Sequence, residues 1–138
     1  MTRREVRALF ARLRAAAAAR GFLRAPLVRL EFREGECFRC CARRGSGRCP
    51  SRSYAEFDPA SGTVELLTLA LGLPRANVAG VLVHELGHAL DERLEFPGAE
   101  ARADRLGEAA TGLRVRYDAR LVQTTGRGRA TRPRILAR

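Results

Sequence analysis

Residues 74–90 read PRANVAGVLVHELGHAL, and this stretch carries the most informative pattern in the chain, that of a buried helix. Pro74 suits the first turn of a helix, where its missing N–H is not needed. The residues that follow are apolar on nearly every side of a helix, which is typical of a helix buried in a core. We expect this helix to continue to about Leu94 and to end at the breaker Glu95-Phe96-Pro97-Gly98.

Both histidines of the chain lie on this helix, in the run His84-Glu85-Leu86-Gly87-His88. Positions i and i+4 project from one helix face about 6 Å apart, so both imidazoles can reach a single metal ion at about 2.0–2.1 Å. Glu85 follows His84 and lies about 100° further around the helix. Its carboxylate would therefore flank the ion without binding it, which is the position of the general base that activates a metal-bound water. The alternative is a pair of ordinary, partly buried histidines, but burying so many polar groups without a ligand costs several kcal/mol.

A catalytic zinc site takes three protein ligands and a water, and the chain has no further histidine to supply the third. Helical character resumes over residues 99–110, and the short breaker places this helix antiparallel to the first. We assign Glu100 as the third metal ligand. Asp104 lies on the same helix face, and we expect it to accept a hydrogen bond from the ring N–H of a ligating histidine that points away from the metal. The reverse order stays open, and Asp91 is a further candidate for either role. A solvated charged face is the alternative for Glu100 and Asp104.

The run HELGH, followed by Glu100-Ala-Arg-Ala-Asp104, resembles the gluzincin zinc metallopeptidases, whose pattern is HExxH and then ExxxD. The chain is most similar to the minimal forms of that group, which include small bacterial and phage-borne proteins. The resemblance covers residues 74–112 and implies a zinc-dependent peptidase in which Glu85 moves a proton from the attacking water to the leaving amine. It also implies that an edge strand binds the substrate backbone, for which one strand of a 53–69 hairpin is the candidate. Metzincins and SprT-like proteases use a third histidine, which this chain lacks.

The remaining patterns predict one domain over residues 1–125, of the α+β class. Its small, mostly antiparallel sheet would carry the zincin-type helix and its antiparallel partner on one face. Thr2 and Glu5 form a capping-box pattern ahead of a helix over residues 3–19. Apolar and alternating runs predict strands over residues 26–32, 53–57, 63–69 and 113–122. The run over residues 63–69 could equally start a helix, because the stretch from Glu65 to Leu71 contains good helix formers. Residues 126–138 are rich in Arg and Gly and lack a core pattern, so we expect an extended or disordered tail there.

Four cysteines, Cys37, Cys40, Cys41 and Cys49, lie in an irregular stretch over residues 33–52. The Cys37-x-x-Cys40 spacing is typical of a structural zinc site, so a second zinc ion is one hypothesis. Two disulfides, with three possible pairings, are the competing hypothesis, and free thiols of no consequence are the third. The lack of a signal-peptide pattern favours reduced thiols, and therefore metal, and indicates a cytoplasmic protein.

The 138 residues carry 26 basic and 15 acidic side chains, a formal net charge of +11, and every basic residue is Arg. Such a charge supports an alternative function, a nucleic-acid-binding module that contacts phosphates through the arginines of residues 39–52 and of the tail. Another alternative is a peptidase-like protein that binds zinc without hydrolysis. No apolar run approaches the roughly 18 residues of a membrane span, so we expect a soluble protein. The resemblance to gluzincins implies a protein or peptide substrate as its partner.

Overall fold

The computed structural model describes residues 1–35, 38, 53–93, 97–118 and 134–137 of the chain. Within these ranges the main chain forms three α-helices and five short strands, together with the 3₁₀ helices Ala25–Leu27 and Thr68–Gly72. In chain order the elements are α1 Arg3–Ala19, β1 Arg29–Arg33, β2 Ala55–Asp58, β3 Thr63–Leu67, α2 Arg75–Leu90, α3 Ala99–Thr111, β4 Val115–Asp118 and β5 Arg134–Ala137. The predicted α+β class is confirmed.

Helix α1 begins where its sequence signal predicts. The Thr2 hydroxyl accepts a hydrogen bond from the Glu5 N–H, and the Glu5 carboxylate accepts one from the Thr2 N–H. This reciprocal pair satisfies two N–H groups that a helix start otherwise leaves without partners. The face that repeats at helical spacing is buried in the core, and consists of Val6, Leu9, Phe10, Leu13 and Ala17.

The sheet over β1, β2 and β3 is mixed, with strand order β1-β3-β2. The predicted 53–69 hairpin is present, because β2 pairs antiparallel with β3. Strand β1 pairs parallel with β3, and a parallel pair needs a long connection between its strands. The stretch between β1 and β2 supplies that length. The prediction of a mostly antiparallel sheet did not foresee this parallel pair.

Helix α2 lies at the centre of the molecule and contacts α1, α3 and the sheet. Its side chains Val78, Leu82 and Leu86 are fully buried and pack in one core cluster with Val64 and Leu66 of β3. The helix ends at Leu90, four residues before the expected Leu94. It ends there because Asp91 adopts extended backbone angles and its carboxylate accepts a hydrogen bond from the Arg93 N–H.

Helices α2 and α3 cross at a very short distance through two glycines. A Cβ atom on Gly87 would lie 1.9 Å from the Ala103 carbonyl oxygen, and one on Gly107 would lie 2.3 Å from that of Val83. Neither position has room for a methyl group, so the two backbones are in direct contact. This contact brings the first turn of α3 beside the last turns of α2.

The end of the chain contains one strand within the predicted tail. Strand β5 pairs antiparallel with β4 and lies against α2. The other tail residues and all four cysteines, Cys37, Cys40, Cys41 and Cys49, lie outside the described residues, so the metal and disulfide hypotheses for the cysteines stay predictions. Among the described helices, none combines the length and apolar character that crossing a membrane requires.

Candidate metal centre

Three potential metal ligands converge where α2 meets α3. The Nε2 atoms of His84 and His88 lie 3.1 Å apart. Glu100, in the first turn of α3, places one carboxylate oxygen 2.9 Å from His84 Nε2 and the other 3.3 Å from His88 Nε2. The ligand atoms of these three residues all lie within 4.8 Å of one another. His84, His88 and Glu100 therefore form a group that can hold a metal ion.

The spacing of these atoms is compatible with a bound metal ion. A tetrahedral ion with ligands at about 2.0–2.1 Å separates neighbouring ligand atoms by about 3.3 Å. The two imidazole nitrogens lie 3.1 Å apart, and they lie 2.9 and 3.3 Å from the two different oxygens of the Glu100 carboxylate. Two imidazoles and one carboxylate are also a donor set that catalytic zinc sites use, with a fourth position left for water.

Asp104 orients one of the two imidazoles. Its carboxylate oxygen lies 2.6 Å from His84 Nδ1, the ring nitrogen that does not point at the other ligands. Such a carboxylate fixes the ring and its tautomer and makes the opposite nitrogen a better metal ligand. The structure thus places the Glu100 carboxylate next to the Nε2 atoms of both histidines and the Asp104 carboxylate next to Nδ1 of His84. These are the positions that the sequence analysis expects for a metal ligand and for a residue that orients a ligand.

Strong electrostatic coupling holds the metal-free cluster together. Burial by itself would lower the pKa of His84, but its hydrogen bonds to Asp104 and Glu100 and the nearby Glu85 charge raise that pKa to about 10. Burial also acts to lower the pKa of His88, and the bond to Glu100 outweighs it, so that pKa is raised as well. The hydrogen bonds that Glu100 makes with His84 and with His88 hold the pKa of its carboxyl well below the usual range.

Zinc binding is expected to release protons, because a histidine must be neutral to act as a ligand. With the His84 pKa near 10, the imidazole is protonated at pH 7 in the metal-free protein. The apparent zinc affinity should then rise from pH 6 to pH 8, and at pH 7 at least one proton should leave per ion bound. Calorimetric titration of the metal-free protein in two buffers of different ionisation enthalpy measures this number.

The same shift fixes how the stability of the metal-free protein depends on pH. The His84 pKa is raised above its ordinary value of 6.5, so the stabilising contribution of this histidine is complete below pH 6.5 and is lost as the pH rises towards 10. The free energy of unfolding of the metal-free form should fall over that interval. Zinc binding without proton release, or a metal-free form that grows more stable between pH 7 and pH 9, would contradict this description of the cluster.

Glu85 lies beside the three ligands and is held by the edge of the sheet. Its Oε2 accepts a 2.8 Å hydrogen bond from the Phe57 N–H of β2. Leu67 donates to the carbonyl of Tyr54, and bonded pairs alternate along an antiparallel ladder. The Phe57 N–H therefore points outward from the sheet, towards α2. Burial raises the pKa of Glu85, while the charges of His84 and His88 act to lower it.

Asp91 does not join the centre. Its Oδ2 accepts a hydrogen bond from Arg102 Nε at 2.9 Å, and its Oδ1 accepts one from the Arg93 N–H. The side chain is buried, with a relative exposure of 4% in that ion pair. Asp91 is thus a link between the end of α2 and α3, and the expected role as ligand or as partner of a ligating histidine is not what the structure shows.

Sequence reasoning missed two residues of this region, Phe57 and Arg102. Phe57 contributes only a backbone N–H, for which side-chain patterns give no signal. Arg102 lies two residues after Glu100, and its pairing with Asp91 depends on how the two helices cross, which no sequence pattern encodes.

Comparison of the chain with protein families, with curated proteins and with solved structures found no match. The resemblance to gluzincins therefore rests on the residues of α2 and α3 alone.

Proposed function

We propose that this protein is a zinc-dependent metallopeptidase that uses Glu85 as its general base. The observation that carries the proposal is the convergence of His84, His88 and Glu100 within 4.8 Å, with a buried carboxylate on the adjoining face of α2. The carboxylate of Glu85 stands where the general base for a metal-activated water belongs. Hydrolysis of a peptide bond needs such a group to move a proton.

When bound, zinc supplies a Lewis acid that polarises a carbonyl and lowers the pKa of water to about 7. Glu85 accepts the proton of the attacking water and then delivers it to the leaving amine nitrogen. The hydrogen bond from Phe57 fixes Oε2, which leaves Oε1 to carry that proton. Asp104 keeps the His84 ring in place during the reaction by its bond to Nδ1.

The outer edge of β2 supports a peptide as the substrate. The strand is at one end of the sheet, and its alternate backbone groups, at Ala55 and Phe57, point away from β3. An extended peptide adds to such an edge by main-chain hydrogen bonds. The Phe57 N–H is already bonded to Glu85 and the Ala55 carbonyl to the Ser53 hydroxyl. A peptide would therefore pair with the outward groups that remain, such as the Phe57 carbonyl, and would lie next to the general base.

The proposal is tested by zinc content and peptide hydrolysis together. We expect purified protein to bind one zinc per chain at the centre and to cleave an unfolded protein such as casein. Chelation should abolish cleavage, and one equivalent of zinc should restore it. Glu100→Gln should weaken zinc binding by more than the roughly 10-fold to 100-fold that is typical when a group supporting a ligand is lost, since it removes the charge of a ligand itself.

Glu108→Gln is the matched control on the same helix. The Glu108 side chain accepts a hydrogen bond from the Val115 N–H, and glutamine keeps an acceptor oxygen there. Zinc affinity and cleavage should therefore stay at the level of the unaltered protein. Stoichiometric zinc binding without cleavage of any peptide would overturn the peptidase proposal and leave a zinc-binding protein.

A further inference from the structure

Two leucine side chains lie in solvent in the connection between α1 and β1. Leu23 is 84% exposed and Leu27 is 77% exposed, the highest values among the large apolar residues that the structure describes. A single exposed leucine is ordinary on a protein surface, but these two are four residues apart in one short connection. We refer to residues 20–29, which contain both, as the leucine turn.

The backbone of the leucine turn is held in place by its own hydrogen bonds and by the core. The N–H groups of Ala25, Leu27 and Val28 donate to the carbonyls of Phe22, Arg24 and Ala25, respectively. Ala25 and Val28 are buried members of the core cluster, to which neither exposed leucine belongs. The fold therefore anchors one side of the turn and presents the two leucines on the other, where they add nothing to the core.

The surroundings of the two leucines are basic. Residues 6–30 contain six arginines, and all 15 acidic residues of the chain lie outside this stretch. Arg20, Arg24 and Arg29 lie within the leucine turn and are exposed. None of the three forms an ion pair with a residue that the structure describes. Glu92, an exposed acid that lines one cavity with Arg24, can balance only one of these charges, so the turn stays positive.

We propose that the leucine turn docks this protein on an anionic membrane surface. Leu23 and Leu27 enter the boundary between lipid headgroups and acyl chains, and the three arginines contact anionic headgroups. Binding at such an interface strengthens with the apolar area that is buried and with the electrostatic attraction to anionic lipids, and the turn offers both. The turn contributes none of the three candidate metal ligands, so this role is separate from the proposed peptidase function.

The leucines favour a lipid surface over the other partners that arginines attract. A nucleic acid offers phosphates to the arginines but no apolar contact along its backbone to two aliphatic side chains. A second copy of the chain would bring the arginines of both turns face to face, where like charges repel. Leucine is also under-represented among the residues that dominate the energy of protein interfaces. An anionic lipid surface satisfies both the leucines and the arginines.

The test is flotation of the full-length, zinc-loaded protein with two kinds of vesicle. One kind is phosphatidylcholine alone, and the other is an equal mixture of phosphatidylcholine and phosphatidylglycerol. We expect the mixed vesicles to bind at least about 10-fold tighter than the neutral ones, because each arginine near an anionic surface adds to the attraction. Binding should weaken as the salt concentration is raised, since salt screens exposed charges.

Leu23→Ser and Leu27→Ser should each weaken binding to the mixed vesicles about 10-fold, because less apolar area leaves water. Leu69→Ser is the matched control. Leu69 is 56% exposed, but it lies in the 3₁₀ helix Thr68–Gly72, which contacts the N-terminus of the chain. That site is at the opposite end of α1 from the leucine turn, so binding should not change.

Arg24→Gln should weaken binding to the mixed vesicles about 5-fold, the effect of one arginine near an anionic surface. Arg75→Gln is its control, because Arg75 is exposed at the start of α2 and lies near Glu5, also at the opposite end of α1. All of these side chains are exposed, so the free energy of unfolding and the zinc affinity should be the same in every variant.

Absence of vesicle binding, equal binding to both kinds of vesicle, or equal effects of Leu27→Ser and Leu69→Ser would each overturn the proposal. A loss of binding in Arg24→Gln that neither leucine variant shares would overturn it as well, in favour of a purely electrostatic contact. Dimers in sedimentation velocity that Leu23→Ser dissociates would assign the turn to a second copy of the chain instead. None of these results bears on the metal centre, because zinc content is measured separately.

Discussion

Gly87→Ala is expected to separate α2 from α3 and to destroy the metal centre. The new methyl group would lie 1.9 Å from the Ala103 carbonyl oxygen, which is backbone and cannot move aside by a change of rotamer. Overpacking of a core commonly costs 1–3 kcal/mol, and a clash with backbone belongs at or above the upper end, so we expect a loss of about 3 kcal/mol or more. The measurement is urea denaturation of the metal-free protein, followed by zinc titration of whatever remains folded.

The reason for the large effect on metal binding is the way the ligands are divided. His84 and His88 belong to α2 and Glu100 belongs to α3, so a shift of one helix by a fraction of an ångström changes the ligand separations directly. Gly72→Ala is the control, since a Cβ atom there meets nothing within 4 Å. Unaltered stability and zinc affinity in Gly87→Ala would show that the helices do not cross as closely as described.

Glu85→Gln is expected to retain zinc and to lose nearly all hydrolysis. The glutamine oxygen can still accept the hydrogen bond from the Phe57 N–H, so the fold and the three ligands should be unaffected. An amide cannot take a proton from water near neutral pH, and general-base catalysis contributes about 10²-fold to 10⁴-fold to a rate. We expect kcat to fall by that factor. Zinc content and casein cleavage are measured on the same sample.

Glu108→Gln again provides the comparison, because it makes the same chemical change away from the centre. Its activity should equal that of the unaltered protein. Persistent cleavage by Glu85→Gln would remove Glu85 from the role of base. Loss of zinc from Glu85→Gln would instead show that this carboxylate is a ligand.

The sequence predicted the elements that depend on local signals. The capping box at Thr2 and Glu5 gave the start of α1, and the apolar run of residues 74–90 gave a buried helix. The two histidines one turn apart had to share a face of that helix. Glu100 followed from the need for a third ligand on a neighbouring antiparallel helix, and the structure brings it to the histidines.

The rest depends on contacts between distant parts of the chain. The parallel pairing of β1 with β3 involves strands separated by a long connection, and no local pattern encodes it. Asp91 is close in sequence to His88, but α2 ends at Leu90, directly before Asp91. The Asp91 carboxylate therefore leaves the helix face of the two histidines and pairs with Arg102. The nucleic-acid alternative depends on arginines that lie almost entirely outside the described residues, so it stays a prediction.

The division of the three candidate ligands between two helices has a consequence for the stability of the fold. An ion that bridges α2 and α3 binds the folded chain and has no such site in an unfolded one, so it stabilises the fold by mass action. Each tenfold rise in free zinc above the dissociation constant then adds about 1.4 kcal/mol. If the proposed zinc site is occupied, the thermal stability of this protein should follow the zinc concentration of its surroundings, and scarcity of the metal should increase its susceptibility to proteolysis.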